Sequence, residues 1–293
     1  MKKILLSFGH GYCAQALSRN LVPQGWQVNG TTRSEASVNA VRASGSEPIV
    51  LSSGSGFANA STAIRTASHL LISAGPTSEG DPVLAALRTE ITKVAPDLKW
   101  VGYLSTTGVY GDHDGDWVDE NAPLDPSTSR GQLRKRAEDD WRSIPDLPLH
   151  IFRLAGIYGP GRGPFAKVRN GTARRIIKDR QVFSRIHVDD IVQTLAASMT
   201  SPNPGAAYNV CDDDPAPPQD VIAHAAELLG VAMPPEVAFE AAEMTPMARS
   251  FYAENKRVRN DRIKTELGVR LIYPTYREGL AAMLRTGHGD GAR

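Results

Sequence analysis

Gly9, Gly11 and Ala14 follow directly on the apolar run Ile4-Leu5-Leu6, and small residues at that spacing can hold a dinucleotide diphosphate. In a Gly-x-Gly-x-x-Gly/Ala turn the first small residue permits a tight strand-to-helix corner. The second lets backbone approach the diphosphate, and the third lets helix and strand pack closely. The helix opened here carries Ala14, Leu17 and Leu21 on one face and runs out near Pro23 and Gly25, so its first amides, from Tyr12 onward, point at the same spot. The duller reading is a tight glycine turn with no ligand. An NAD site usually ends its second strand with an acid that bonds the ribose hydroxyls, whereas an NADP site has neutral and basic groups there. This chain has Thr31-Thr32-Arg33-Ser34. Arg33 can make charge-assisted hydrogen bonds to an extra phosphate, with Thr32 and Ser34 as neutral neighbours and further donors. NADP(H) is therefore expected over NAD(H), against the plain alternative of an exposed loop arginine. Ala74 and Gly75, at the end of the fourth strand, complete the expected cofactor-binding set.

Two other clusters invite assignment. Asp112, Asp114, Asp116, Asp119 and Glu120 surround His113, but they lack the glycine spacing and remaining ligands of a calcium loop, so a solvated loop and no metal are expected. From Arg162 to Arg185 the chain gathers Lys167, Arg169, Arg174, Arg175, Lys178 and Arg180 against the single acid Asp179. That stretch could hold an anionic substrate, joined by Arg249, Lys256, Arg257 and Arg259, or could be a helix with a solvated basic face. His187, beside Asp189, reads as a residue that orients a turn.

The elements that position these residues are those of an α/β, doubly wound parallel sheet. Short apolar segments, Trp26 to Thr32, Pro48 to Leu51, His69 to Ala74, Trp100 to Ser105 and Leu149 to Leu154, alternate with helical ones, the pattern of a sheet covered on both faces. Asp81 caps a helix with Pro82 in its first turn and Leu84, Leu87, Ile91 and Val94 at helical spacing. Leu133, Ala137 and Trp141 mark another helix, and Ser52 to Ser61 reads as a loop. Asp189 and Asp190 start a helix through Met199, and Ala207 to Val210 is a strand. A last long helix runs from Pro218 to Leu229, and the tail after Arg285 should be loosely ordered. The expected division is a dinucleotide-binding domain over 1–159, with 186–213 returning to it, and a smaller substrate lobe over 160–293.

With 293 residues, 33 basic and 32 acidic side chains and a net charge of +1, no global field recruits nucleic acid or an anionic membrane. Cys13 and Cys211 are too few for a disulfide framework. The apolar start fails at Ser7, too soon for a signal peptide, and no later run could span a bilayer, so a cytoplasmic setting is expected.

Several segments together resemble the extended short-chain dehydrogenase/reductase family, the nucleotide-sugar epimerases and dehydratases. They are the glycine turn, Leu104-Ser105-Thr106-Thr107-Gly108-Val109-Tyr110-Gly111, Arg153-Leu154-Ala155-Gly156-Ile157-Tyr158-Gly159-Pro160-Gly161, Ile186-His187-Val188-Asp189-Asp190 and Tyr208-Asn209-Val210. More closely the chain is similar to an atypical subgroup known by assignment as NAD(P)-dependent epimerases. The resemblance implies a Rossmann sheet of about seven strands and a C-terminal substrate lobe. It also implies a Ser or Thr at the fifth strand, matched by Thr106, and a Tyr-x-x-x-Lys pair on the next helix. Arg130 stands where the tyrosine should be and Arg134 where the lysine should be, and no tyrosine lies between Tyr110 and Tyr158. Guanidinium, with a pKa above about 12, is no acid and base near neutrality. A second departure is Phe8, which occupies the first place of the family's usual Gly-x-x-Gly-x-x-Gly.

Two functions follow as expectations. One is an NADP(H)-dependent oxidoreductase or epimerase/dehydratase-like enzyme of altered mechanism on a small polar or anionic substrate. Thr106 would bond the reacting oxygen, Arg130 and Arg134 would stabilise negative charge, and a proton would come from Tyr110, Ser129, His113 or water. The other is a non-catalytic NADP(H)-binding protein that controls a partner. Family members often dimerise through helices of the first domain, which leaves a homodimer open.

Overall fold

The computed structural model describes residues 3–287. Along the chain run β1 (Ile4–Phe8), α1 (Tyr12–Leu21), β2 (Gln27–Thr32), α2 (Val38–Ala43), β3 (Glu47–Val50), α3 (Gly56–Thr66), β4 (His69–Ile72), α4 (Pro82–Val94) and β5 (Trp100–Thr106). These are followed by β6 (Trp117–Val118), α5 (Ser129–Arg142), β7 (Leu149–Leu154), β8 (Gly156–Tyr158), α6 (Phe165–Arg169), β9 (Arg175–Ile177), β10 (Arg185–His187) and α7 (Val188–Thr200). The remainder comprises β11 (Ala207–Val210), α8 (Pro218–Leu229), β12 (Glu236–Ala238), α9 (Pro246–Ser250), β13 (Arg257–Val258), α10 (Asp261–Leu267) and α11 (Tyr276–Arg285).

Seven strands form one parallel sheet in the order β11-β7-β5-β4-β1-β2-β3. Leu5 pairs with Val28 on one side and His69 on the other. The strand order reverses beside β1, the switch point where open α/β sheets bind ligands at the carboxyl ends of their strands. The chain divides into two compact units, one made of the segment through Thr106 with 132–153 and 192–208, the other of 107–131, 154–191 and everything from Asn209. The first unit's core joins Leu6, Phe8 and Ile72 of the sheet to Leu84, Leu87 and Ile91 of α4 and Trp141 of α5. Asp81 caps α4 as the sequence indicates. Its Oδ1 accepts from the Val83 and Leu84 amides at 2.9 and 3.1 Å, while Oδ2 accepts from Trp141 Nε1 at 3.0 Å.

One expectation is corrected. The stretch expected as a loop over Ser52 to Ser61 instead contributes to α3, because Ala60 and Ile64 are wholly buried and packing of that face outweighs the weak helix propensity of Ser and Gly. By contact, 107–131 groups with the C-terminal residues, where β6 pairs with β13 and Lys256 Nζ donates to the Gly111 carbonyl at 2.5 Å. Of 186–213, the part 192–208 groups with the first unit. In the second unit, Tyr158, Phe165, Val221, Tyr276 and Leu280 build a separate core. Gly230 ends α8 in the left-handed region at φ +63°. Beyond Gly287 the tail expected to be loose lies outside the described residues.

Candidate functional site

The corner between β1 and α1 is shaped by backbone rather than side chains. Gly9 has φ +74°, and a Cβ there would lie 2.7 Å from the Ala74 amide nitrogen, so only glycine lets these backbones approach. Thr31 locks the turn, accepting the Gly9 amide on Oγ1 at 3.0 Å and the His10 amide on its carbonyl at 2.9 Å. At Gly11 the situation is reversed, for a Cβ would meet only the Gly9 carbonyl oxygen at 3.8 Å, and no side chain caps the helix. Helix N-termini of this kind suit anions. Ala14 is buried where a small third residue lets α1 pack. Tyr12, half-buried, is the first residue of α1. Thr32 is buried and its Oγ1 donates to the Ser34 carbonyl at 3.3 Å, while Arg33 and Ser34 are exposed at the end of β2.

The sheet's carboxyl edge also carries Gly75 after β4 and Thr106 at the last position of β5, half-buried. Arg134 reaches the same edge. Its Nη1 donates to the Leu104 carbonyl at 2.5 Å and to the Tyr103 hydroxyl at 3.5 Å, and its Nη2 stands 3.4 Å from a Cβ built on Gly75. Burial pushes the Tyr103 phenol above its ordinary range, although the Arg134 cation opposes this. Tyr103 is therefore a neutral wall.

Sequence reasoning missed what holds α5 in place. Glu138 is completely buried, accepting from Ser105 Oγ at 2.5 Å and from Arg153 Nη2 and Nε at 2.9 and 3.2 Å. Two planar forks thus meet across β7 and α5. The helical stripe Leu133, Ala137, Trp141 drew the eye to apolar residues, and an acid one position from that stripe carried no signal by itself. His10 was missed as well. Ser44 Oγ donates to the Val41 carbonyl at 2.6 Å, so His10 Nε2 is the donor in its 3.0 Å bond to Ser44. Nδ1 is left bare, and burial, helped by the Arg19 charge, lowers the imidazole pKa to about 4. A Cβ on Gly30 would fall 2.5 Å from the His10 ring; a glycine inside a strand was the available clue.

The remaining candidates belong to the second unit and are used differently. Tyr110 is wholly buried and donates to Asn209 Oδ1 at 2.7 Å. Arg130 is exposed, with its guanidinium 4.2 Å from the centre of the Phe251 ring. Ser129 is exposed at the start of α5. His113 Nε2 lies 3.2 Å from the Tyr110 carbonyl. His187 sits between the rings of Tyr158 and Tyr273, and its Nδ1 accepts the Asp189 amide at 3.2 Å. Burial lowers its pKa against the pull of Asp189, and the ring orients the turn into α7.

Several cations of the basic set turn to acceptors of their own unit. Arg175 Nε donates to the Pro234 carbonyl at 2.8 Å, Arg174 to those of Gly171 and Ala173, and Arg185 to those of Phe183 and Ala216. Arg249 donates to the Ala242 carbonyl, Lys256 pairs with Glu254, and Arg259 lies over Trp117. Among the described residues no group of His, Cys, Asp and Glu is arranged to hold a metal, and no helix is long and apolar enough to cross a membrane.

No protein-family model matches the chain. A solved conserved protein of unknown function from Silicibacter pomeroyi is 60% identical, covering 97% of this chain and 99% of its own with a TM-score of 0.89. A protein from Methylobacillus flagellatus assigned as an NAD-dependent epimerase/dehydratase is 26% identical over 98% of each chain, with a TM-score of 0.71. The 3-diazoavenalumate denitrifying reductase of a Streptomyces species is 32% identical over 56% of this chain and 58% of its own. The chain belongs to one family with the Silicibacter pomeroyi protein, and it shares the fold of NAD-dependent epimerases and dehydratases.

Proposed function

We propose that the protein is an NADP(H)-dependent oxidoreductase that works without the tyrosine-lysine proton relay, on a small polar substrate. The observation that carries this is the glycine corner: Gly9 is forced to be glycine by the Ala74 backbone, and Gly11 leaves open space before an uncapped helix. The residues fit a dinucleotide. Gly9, Gly11, Tyr12 and Ala14 would hold the diphosphate, with Ala74 and Gly75 beside them. Arg33 and Ser34 would hold a 2′-phosphate, and an exposed guanidinium with no acid at the end of β2 favours that group over a bare ribose. The nicotinamide, when bound, gives or takes a hydride.

The chain's own residues orient and polarise. Arg134, fixed to the Leu104 carbonyl, keeps a permanent positive charge at the carboxyl edge of β5, where a lysine would serve in other members. Thr106, at the tip of β5, offers a hydroxyl to the reacting oxygen, and proton exchange passes to water because no tyrosine stands at position 130. The name of the Streptomyces relative supports reduction over epimerisation. Stopped-flow absorbance of NADPH with carbonyl and other electron-poor substrates tests the reading: turnover should appear and Thr106→Ala should lower it about 100-fold. NADPH binding without turnover on any substrate would move the assignment to a cofactor-binding regulator.

A further inference from the structure

A cavity of 310 Å³ opens in the second unit, lined by Asp114 and Asp116 from the loop before β6, Lys178, Arg180 and Gln181 from the turn between β9 and β10, and Gln219 and Arg257. Its size is at the low end for small-ligand sites. None of the residues proposed to hold the dinucleotide contributes to it. We infer that this cavity binds a small zwitterion, an amino acid or a similar amino-carboxylate.

The walls carry two unsatisfied acceptors. Gln181 is 1% exposed, and its Nε2 donates to the Glu254 and Val182 carbonyls at 2.9 and 3.4 Å, which fixes the direction of the amide. Its Oε1 has no partner among the described residues, and neither has Oε1 of Gln219. Buried amide oxygens are nearly always paired, and these two belong to residues of the cavity lining, so the partner they lack is one that brings N–H donors. An ammonium brings three.

Both signs of charge face the same space. Lys178 Nζ donates to the Tyr252 carbonyl and Arg257 Nη1 to the Gly115 carbonyl, each keeping further donors. Arg180 Nη2 stands 3.9 Å from Asp114. A simple anion would meet Asp114 and Asp116 as well as the cations, and a simple amine would meet Lys178, Arg180 and Arg257. A molecule with a carboxylate and an ammonium answers the cations, the acids and the amide oxygens together. Asp114 and Arg180 also hold non-glycine backbone at φ +48° and +54°, strain of the kind that collects where loops are shaped around ligands.

Calorimetry on the full chain with the common α-amino acids, their α-hydroxy-acid analogues, the matching primary amines and inorganic phosphate tests this. At least one amino acid should bind, with its hydroxy acid and amine each weaker by about tenfold or more. Gln219→Leu and Lys178→Met should each weaken that amino acid about tenfold while NADPH affinity stays as in the parent, which also shows that the variants fold. No binding by any amino acid, equal binding by the hydroxy acid or by phosphate, or binding indifferent to both substitutions would overturn the inference. NADPH titration reports separately on the dinucleotide corner, so failure of one reading leaves the other readable.

Discussion

The β1–α1 corner and the stretch from Arg162 to Arg185 both suggest anion binding in the sequence, by signals of different kinds. At the corner the signal is spacing of small residues, and spacing dictates backbone geometry: φ +74° at Gly9, a 2.7 Å approach to Ala74, open space at Gly11. In the basic stretch the signal is a count of charges, and a count says nothing about aim. Arg174, Arg175 and Arg185 turn to carbonyl oxygens of their own unit. Glycine patterns constrain the chain locally, whereas a long cation finds its acceptor only after the fold is made.

The largest test of this contrast is Gly9→Val. A β-branched side chain at φ +74° against the Ala74 backbone should abolish measurable NADPH binding and cost about 3 kcal/mol of stability, read by fluorescence titration and urea unfolding. Next is Arg33→Ala. Loss of one charge-assisted pair should weaken NADPH about 10–100-fold and leave NADH nearly unchanged; equal loss for both would remove the 2′-phosphate assignment. A third test uses pH. His10, His69 and His150 are all lowered from 6.5 to about 4, chiefly by burial. Each therefore stays neutral in the folded state while the unfolded chain takes up a proton, so stability is full above pH 6.5 and falls progressively as pH drops from 6.5 towards 4. Thermal unfolding scanned across that window should show the decline, and a flat profile would contradict the buried neutral rings. The smallest effect is expected for Arg174→Ala, whose bonds go to two backbone carbonyls of its own turn. Its stability should change by about 0.5 kcal/mol or less, with NADPH affinity unaltered.

Much of the sheet was readable because its signals are local. Asp81-Pro82 announces the start of α4, Gly230 the end of α8, and the strands from Leu149 to Leu154 and Ala207 to Val210 match their apolar runs residue for residue. What escaped depends on contacts far apart in sequence. α3 is helical because Ala60 and Ile64 find a core. Tyr110 donates its hydrogen bond to Asn209, 99 residues later, a partner that no local pattern announces. Arg134 reaches the carboxyl edge of β5, but nothing in its sequence neighbours foretold the Leu104 carbonyl.

The buried carboxylate of Glu138 has a wider meaning for the helix that bears both arginines. With Ser105 and Arg153 gripping that single side chain, α5 is moored one turn downstream of position 134, and severing a buried pair of this kind costs about 3–5 kcal/mol. The anchorage is separate from the chemistry displayed at the helix start. A change of side chain at position 130 therefore leaves the mooring of the helix intact.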